Sequence, residues 1–327
     1  PLAEPGSAEY LSMVLTLTFL VGLFQLAMGI ARMGALVNFI SHTVVIGFTA
    51  GAAFLIMASQ IKNFFGIEIE RGASFSEVLA GFVVEIPHIN WYVTAVALVT
   101  LLSGIAFRRF VPKIPYLIGA MVTGSLFAML LEFVFGSAHT DIETVGSLPV
   151  GLPPLSLPDF SLQTIQATIP SALAVMILAL TEAVSIARAI AVKSEQRIDA
   201  NQEFTGQGLS NLVGSFFSGY AASGSFNRSG LNYASGAKTP LAAVFSALFL
   251  VAIVLAVAPL AEYLPIAAMA GVLFLVAYAL IDFEHIFSIL KTSRQESAVL
   301  LTTLLSALFA ELEFAIFIGV ILSLMLY

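Results

Sequence analysis

The sequence predicts an all-α integral membrane fold, and three observations carry that prediction. Of its 327 residues, 59% are hydrophobic and 10% charged, where a soluble domain carries about 25% charged residues. So few ionic side chains cannot coat a water-facing surface, and the mean hydropathy of +1.00 agrees. Apolar runs of about 20 residues recur, the length a helix needs to cross a hydrocarbon core about 30 Å thick. Lys and Arg, finally, collect on alternate connections between those runs. Backbone polar groups find no water inside the bilayer, so every crossing run is expected to be helical.

Taken in order, the crossing runs are 11–31, 39–61, 91–107, 115–135, 169–191, 241–260 and 264–281. Two shorter runs, 297–310 and 314–327, flank Glu311 and Glu313 and predict a tight pair of short helices. Residues 74–86 form a partial, amphipathic segment, while 203–239 is apolar in patches and broken by Gly and Ser.

Composition also excludes several functions. The net charge of −7 leaves no basic footprint for nucleic acid. With no Cys there is no disulfide, thiolate metal site or cysteine nucleophile. His88, His139 and His285 have no second ligand at metal spacing, and His42, after Arg32 and Asn38, reads as an interfacial, hydrogen-bonded histidine at a helix entry. The spans hold no Ser/His/Asp set and no His-Glu-x-x-His run, so neither an enzyme nor a metal or cofactor site is expected. Pro1 to Glu9 is polar with no signal-peptide pattern, and the chain reads as a piece of a longer protein.

Positive charge orients the segments. With the connection after residue 31 inside, Arg32, Arg108, Arg109, Lys113, Arg188, Lys193, Arg197, Lys238, Lys291 and Arg294 all fall inside; Lys62 and Arg71 fall outside. The long connection 136–168, with Asp141, Glu143 and Asp159 and no Lys or Arg, is then extracellular. A multi-pass protein of a plasma or bacterial inner membrane is expected.

Arg228 belongs to neither side. It lies in GYAASGSFNRSGLNYASGAKTP, residues 219–240, which no continuous membrane helix resembles. Irregular backbone at membrane depth requires surrounding protein or a watery cavity. Ser225 suits an N-cap, and a helix from Phe226 to about Gly236 would cross about half the bilayer. Its start would present the N–H groups of Phe226, Asn227 and Arg228 and a partial positive charge of about half a unit, a place for an anion. Arg228 adds a full positive charge there, which calls for a negative partner, either a transported anion or a fixed carboxylate.

Glu182 is the acid set deep inside an apolar span, where a carboxylate is costly and usually functional. Ser185, three residues on, shares its face. Either Glu182 couples transport to an ion or it is a static counter-ion to Arg228. Gly206, Ser210, Gly214 and Ser218 recur every four residues, a small-residue stripe predicted to let helices approach closely. Broken helices meeting at the midplane are the design of secondary transporters.

Three stretches carry a family resemblance: FISHTVVIGFTAGAAFLIMASQIKNFFGI at 39–67, ALTEAVSIARAIAVKSEQRIDANQEFTGQGLSNLVGSFF at 179–217, and SGSFNRSGLNYASGAKTPLA at 223–242. In these the chain resembles the SulP sulfate permease family, closest to its plant-type proton-coupled members, and the likeness runs over the whole chain. The resemblance implies fourteen membrane segments in two inverted repeats of seven, with a core and a gate domain, and with the first three segments lying before this chain. By the same likeness, 1–38 is the fourth segment and part of the core, 39–135 holds segments five to seven of the gate, and 136–168 is the extracellular loop. Residues 169–260 are core segments eight to eleven with a half-helix at 225–237, and 264–327 complete the gate. Of two facing half-helices one is present, and a cytoplasmic STAS domain is expected beyond residue 327.

The resemblance further implies that Ser225, Phe226, Asn227, Arg228 and Ser185 bind the substrate and that Glu182 couples transport to a proton. Asn227 departs from the plant-like pattern, which has Ser there. The implied activity is secondary transport of an inorganic anion, sulfate first, with a proton or sodium as coupling ion, in a lipid bilayer, the full-length protein pairing as a homodimer. The alternatives are a sodium-coupled bicarbonate or dicarboxylate carrier, and a chloride-binding channel or motor.

Overall fold

The computed structural model describes residues 7–34, 41–70, 72–146, 151–310 and 312–326, and the side chains of these except at 188, 189, 192, 193, 226, 227, 234, 312 and 313. Its elements in chain order are α1 (Ala8–Ile30), α2 (His42–Phe65), α3 (Phe75–Glu85), α4 (Trp91–Phe110), α5 (Tyr116–Phe135), α6 (Ser137–Thr140) and α7 (Leu162–Ser194). They continue with α8 (Ala200–Gly214), α9 (Phe226–Ala234), α10 (Leu241–Val257), α11 (Ile266–Leu280), α12 (Phe283–Thr292), α13 (Arg294–Phe309) and α14 (Leu312–Leu326). Among the described residues, seven helical stretches are long and apolar enough to cross a membrane: Ala8–Ile30, His42–Phe65, Trp91–Phe110, Tyr116–Phe135, Leu162–Ala187, Leu241–Tyr263 and Ile266–Thr292. The protein is an all-helical, multi-pass membrane protein.

Helix starts follow side-chain capping. Ser7, Ser74, Asn90, Ser161, Asp199, Ser225, Asp282 and Ser293 each accept a first-turn N–H with the side chain. Each thereby satisfies a donor that the helix itself leaves open. At Ser74 the exchange is reciprocal, since the Glu77 carboxylate accepts from the Ser74 N–H at 2.7 Å.

Two boundaries differ from expectation. α7 begins at Leu162, well before the apolar run at 169, because Ser161 caps it and the helix runs on through Pro170. Residues 162–168, assigned above to the extracellular loop, are therefore helical. A proline inside a membrane helix is tolerated where neighbours satisfy the freed backbone. The second difference is α12, an amphipathic helix that hydropathy passes over; Asp282 starts it by accepting from His285 N–H at 3.1 Å.

The chain divides into two compact units. One comprises Pro1–Val45, Gly151–Ile253 and Glu313–Tyr327, the other Ile46–Val150 and Val254–Leu312. In the second unit α4, α5 and α11 pack around Val96, Ala97, Ala128, Ala267, Ala268 and Ala270. Small residues make this possible: a Cβ at Gly271 would come within 2.6 Å of the Ala97 carbonyl, and one at Gly124 would overlap the Thr100 hydroxyl. Lipid is as apolar as the helices, so such close packing, rather than escape from water, holds them together.

In the first unit α1 packs on α7 and α8 through Leu20, Val21, Ala172, Met176, Leu180, Val184 and Phe204. Here the expected small-residue stripe is corrected. Gly206 and Ser210 are exposed, and a Cβ at Gly206 or Gly214 would meet nothing within 4 Å. The packed face of α8 is Phe204, Gly208 and Asn211. A Cβ at Gly208 would overlap the Leu26 backbone, and one at Gly22 the Leu212 backbone. A spacing of four in a helix of 3.6 residues per turn drifts around the axis, and position 208 meets Gly22 where 206 cannot. α10 has no buried residue, so it offers an apolar surface all round.

Candidate functional site

The predicted break is present. After α8 a single 3-10 turn ends at Ser218, whose φ of 55° turns the chain sharply, and residues 219–225 run without helical structure. α9 then spans nine residues, about 14 Å at 1.5 Å per residue and so about half a bilayer core. Its end is set at Gly236, whose φ of +91° suits glycine and allows Ala237 N–H to donate to the Asn232 carbonyl at 3.2 Å. The helix ends at Ala234, two residues short of the predicted Gly236 boundary, because Ser235 already serves as its C-cap.

Three contacts hold the segment leading into α9. Ser223 Oγ donates to the Ala179 carbonyl of α7 at 2.9 Å. Gly224 lies against the same helix one turn on, where a Cβ would come 2.9 Å from Ile186 Cδ1 and 3.5 Å from Ala183 Cα. Asn211 of α8 bonds both polar groups of the Ala222 backbone, at 2.8 and 3.0 Å. The half-helix thus starts from a peptide track laid along α7, next to the turn that carries Glu182.

Glu182 is half-buried on α7, and the Ser223 side chain adjoins its carboxyl. Ser185 is also half-buried, with its hydroxyl donating back to the Thr181 carbonyl at 2.7 Å. That proton would have to leave its own helix before it could serve an anion. Ser225 Oγ caps α9 by accepting from Arg228 N–H at 3.5 Å, a long bond that a stronger acceptor can displace. The Arg228 side chain is exposed and borders an open cavity of about 390 Å³ with Ser229, Leu231, Asn232, Ser235, Ala243 and Ser246. Phe226 and Asn227 form the first turn of α9, and their side chains lie outside the described set.

Ser223 and Gly224 are therefore brought against the turn of α7 that carries Glu182, whereas the counter-ion reading is not met: Arg228 makes no ion pair with Glu182 or with any other described acid. A second cavity, about 290 Å³, runs beside the track between α7 and α8, lined in part by Ala183, Ser194, Gln196, Glu203, Gln207, Gly224 and Ser229. Ser223 and Asn211 were not predicted as site residues. Ser223 could have been found from the Ser-Gly-Ser run within the break; nothing local marks Asn211. Among the described residues no cluster of His, Asp and Glu could hold a metal ion.

Comparison with known proteins agrees with this fold. A profile described as the sulfate permease family matches residues 3–303. The chain is 30% identical to "Probable sulfate transporter 3.5" of Arabidopsis thaliana over 326 residues, covering 95% of this chain and 50% of that protein. It is 26% identical to "Putative sulfate transporter YvdB" of Bacillus subtilis (strain 168), covering 93% and 57%. The chain spans about half the length of the curated relatives it matches. Among solved structures, the transmembrane domain of the cyanobacterial bicarbonate transporter BicA superposes with a TM-score of 0.79 at 25% identity, covering 97% of this chain and 77% of that one. The overall structure of SLC26A9 superposes with a TM-score of 0.85 at 20% identity, covering 98% and 51%. A broken helix laid against an acid-bearing helix, in an all-helical membrane fold that a whole-family profile matches nearly end to end, places this chain in the sulfate permease family.

Proposed function

We propose that the chain is the membrane part of a secondary carrier for small inorganic anions, sulfate first, coupled to protons through Glu182. One observation carries this reading: the start of α9 is pinned beside Glu182 by bonds from α7 and α8. An anion at that start meets the Ser225 hydroxyl, the first-turn N–H groups of Phe226, Asn227 and Arg228, and the positive end of the helix. Arg228 supplies a full positive charge from the wall of an open cavity. Ser185 joins once its hydroxyl turns from Thr181. Among the described residues no acid pairs with Arg228, and in this reading the solute takes that role. The coupling logic follows from charge. An anion beside an ionised Glu182 is repelled, and protonation of Glu182 removes the repulsion and lowers the cost of carrying the loaded site through the bilayer.

In this reading residues 1–38 and 169–260 form the core that carries the anion, and 39–135 with 264–327 form the gate it moves against. A homodimer is the assembly proposed for the full-length protein. A bicarbonate or dicarboxylate carrier driven by sodium is the second reading, favoured by the match to BicA, named a bicarbonate transporter. Uptake of labelled sulfate, bicarbonate and a dicarboxylate by the full-length protein in proteoliposomes, at two pH values and with or without sodium, separates the two. Proton-driven sulfate uptake supports the first reading; sodium-driven bicarbonate uptake with none of sulfate overturns it.

A further inference from the structure

The residue that aligns the entry to α9 belongs to neither α9 nor α7. Asn211 is 2% exposed, on α8, and its amide bonds the backbone of one residue twice. Ala222 N–H donates to Oδ1 at 2.8 Å, and Nδ2 donates to the Ala222 carbonyl at 3.0 Å. Those two bonds settle which end of the amide is nitrogen. The second Nδ2 hydrogen goes to Gln25 Oε1 of α1 at 2.9 Å. Gln25 is thereby oriented as well, oxygen toward Asn211 and nitrogen away.

Gln25 is 0% exposed, and its Nε2 finds no hydrogen-bond partner among the described residues. A buried donor left unmet is unfavourable, and turning the amide over would only set donor against donor. Nor can the helices drift apart, since Gly22 and Gly208 bring α1 and α8 into backbone contact on either side of the pair. A polar contact that costs stability is thus retained at the point where it pins a peptide three residues before the Ser225 cap. Such a contact is explained by position rather than by stability.

We propose that Asn211, oriented by Gln25, is a positioning residue for the anion. It holds the track from Ala222 to Ser225 so that the Ser225 hydroxyl and the first N–H groups of α9 converge on one point, and it does not itself touch the solute. This rests on the reading of the α9 start as the anion site. Misplacing a converging set of donors weakens binding without removing any donor from it. The Ala222 carbonyl bond is the part an aspartate cannot make. Asn211→Asp keeps the shape, still accepts from Ala222 N–H, and lets Gln25 turn its unmet nitrogen onto the new carboxylate. Gln25→Leu removes the unmet nitrogen together with the acceptor that orients Asn211.

The test uses the full-length carrier in proteoliposomes with labelled sulfate and labelled bicarbonate, following whichever the wild type transports, and melting in detergent. KM should rise about fivefold in Gln25→Leu and about tenfold in Asn211→Asp, with Vmax largely kept. Melting of Gln25→Leu should be unchanged or higher, a divergence that a merely structural role does not produce. Ser225→Ala serves as the reference for the site itself. If Ser225→Ala raises KM while both clamp variants leave it unchanged, the positioning role is overturned and the site stands. If KM and melting worsen together in both clamp variants, Asn211 is only structural and the proposal is overturned. If Ser225→Ala leaves KM unchanged, the site reading fails and the proposal falls with it.

Discussion

The Ser223 hydroxyl donates to the Ala179 carbonyl at 2.9 Å, three residues before Glu182 on the same helix. A single side chain thus ties the irregular track to the turn that carries the acid. Any shift of the start of α9 relative to Glu182 must break or lengthen that bond. In the proposed carrier this bond would link binding at one to protonation at the other through a short path.

Glu182→Gln should abolish the pH dependence of sulfate uptake in proteoliposomes while sulfate binding survives, because a glutamine keeps the shape and cannot carry the proton. Uptake across a pH gradient, with equilibrium binding measured in parallel, checks it. A pH dependence equal to that of the wild type would remove Glu182 from coupling.

Ser225→Ala removes the cap of α9 and, in the proposed function, a hydroxyl offered to the anion. The lost cap costs about 1 kcal/mol. KM for sulfate should rise several-fold, and Arg228→Gln should raise it at least about tenfold, since hydrogen bonds to charged groups contribute about 1.5–3 kcal/mol. Uptake kinetics for the two variants at one salt concentration measure this.

Gly208→Val should destabilise the α1–α8 pair by about 1–3 kcal/mol, because the new side chain overlaps the Leu26 backbone. Gly206→Ala, two residues away where a Cβ meets nothing within 4 Å, should stabilise by up to about 1 kcal/mol through helix propensity alone. Thermal melting of both in detergent separates the packed face of α8 from the open one.

Asp159, in the connection before α7, is held below the usual carboxylate range by the Thr164 hydroxyl first, then by the Ser161 N–H and hydroxyl. A carboxylate so depressed adds stability above its unfolded value of about 3.9 and loses it as pH falls through the lower folded value. Asp159→Asn should therefore melt below the wild type at pH 7, with the gap closing below about pH 4. A gap independent of pH would show that the charge plays no part.

Much of the candidate site was legible in the residues themselves. The Gly and Ser break at 219–240, the Ser225 cap and the acid at Glu182 are local signals, because a bilayer penalises each irregular or charged position where it stands. α12 escaped because its apolar face alternates with Glu284 and Lys291, which a hydropathy run discounts. The stripe through Gly206 misled for a related reason: small residues permit close approach but do not say which neighbour arrives.

The sequence by itself determined that the chain crosses the membrane repeatedly, where most crossings lie, and that one of them is broken at Ser225. Hydrophobic length, charge and capping act within one segment, so spacing suffices to read them. Only the tertiary structure decided that Asn211 meets Ala222 and Gln25, a partner 186 residues away, and that Arg228 pairs with no acid among the described residues. Such pairings depend on the register between helices, which side-chain packing sets across the fold and no single segment encodes.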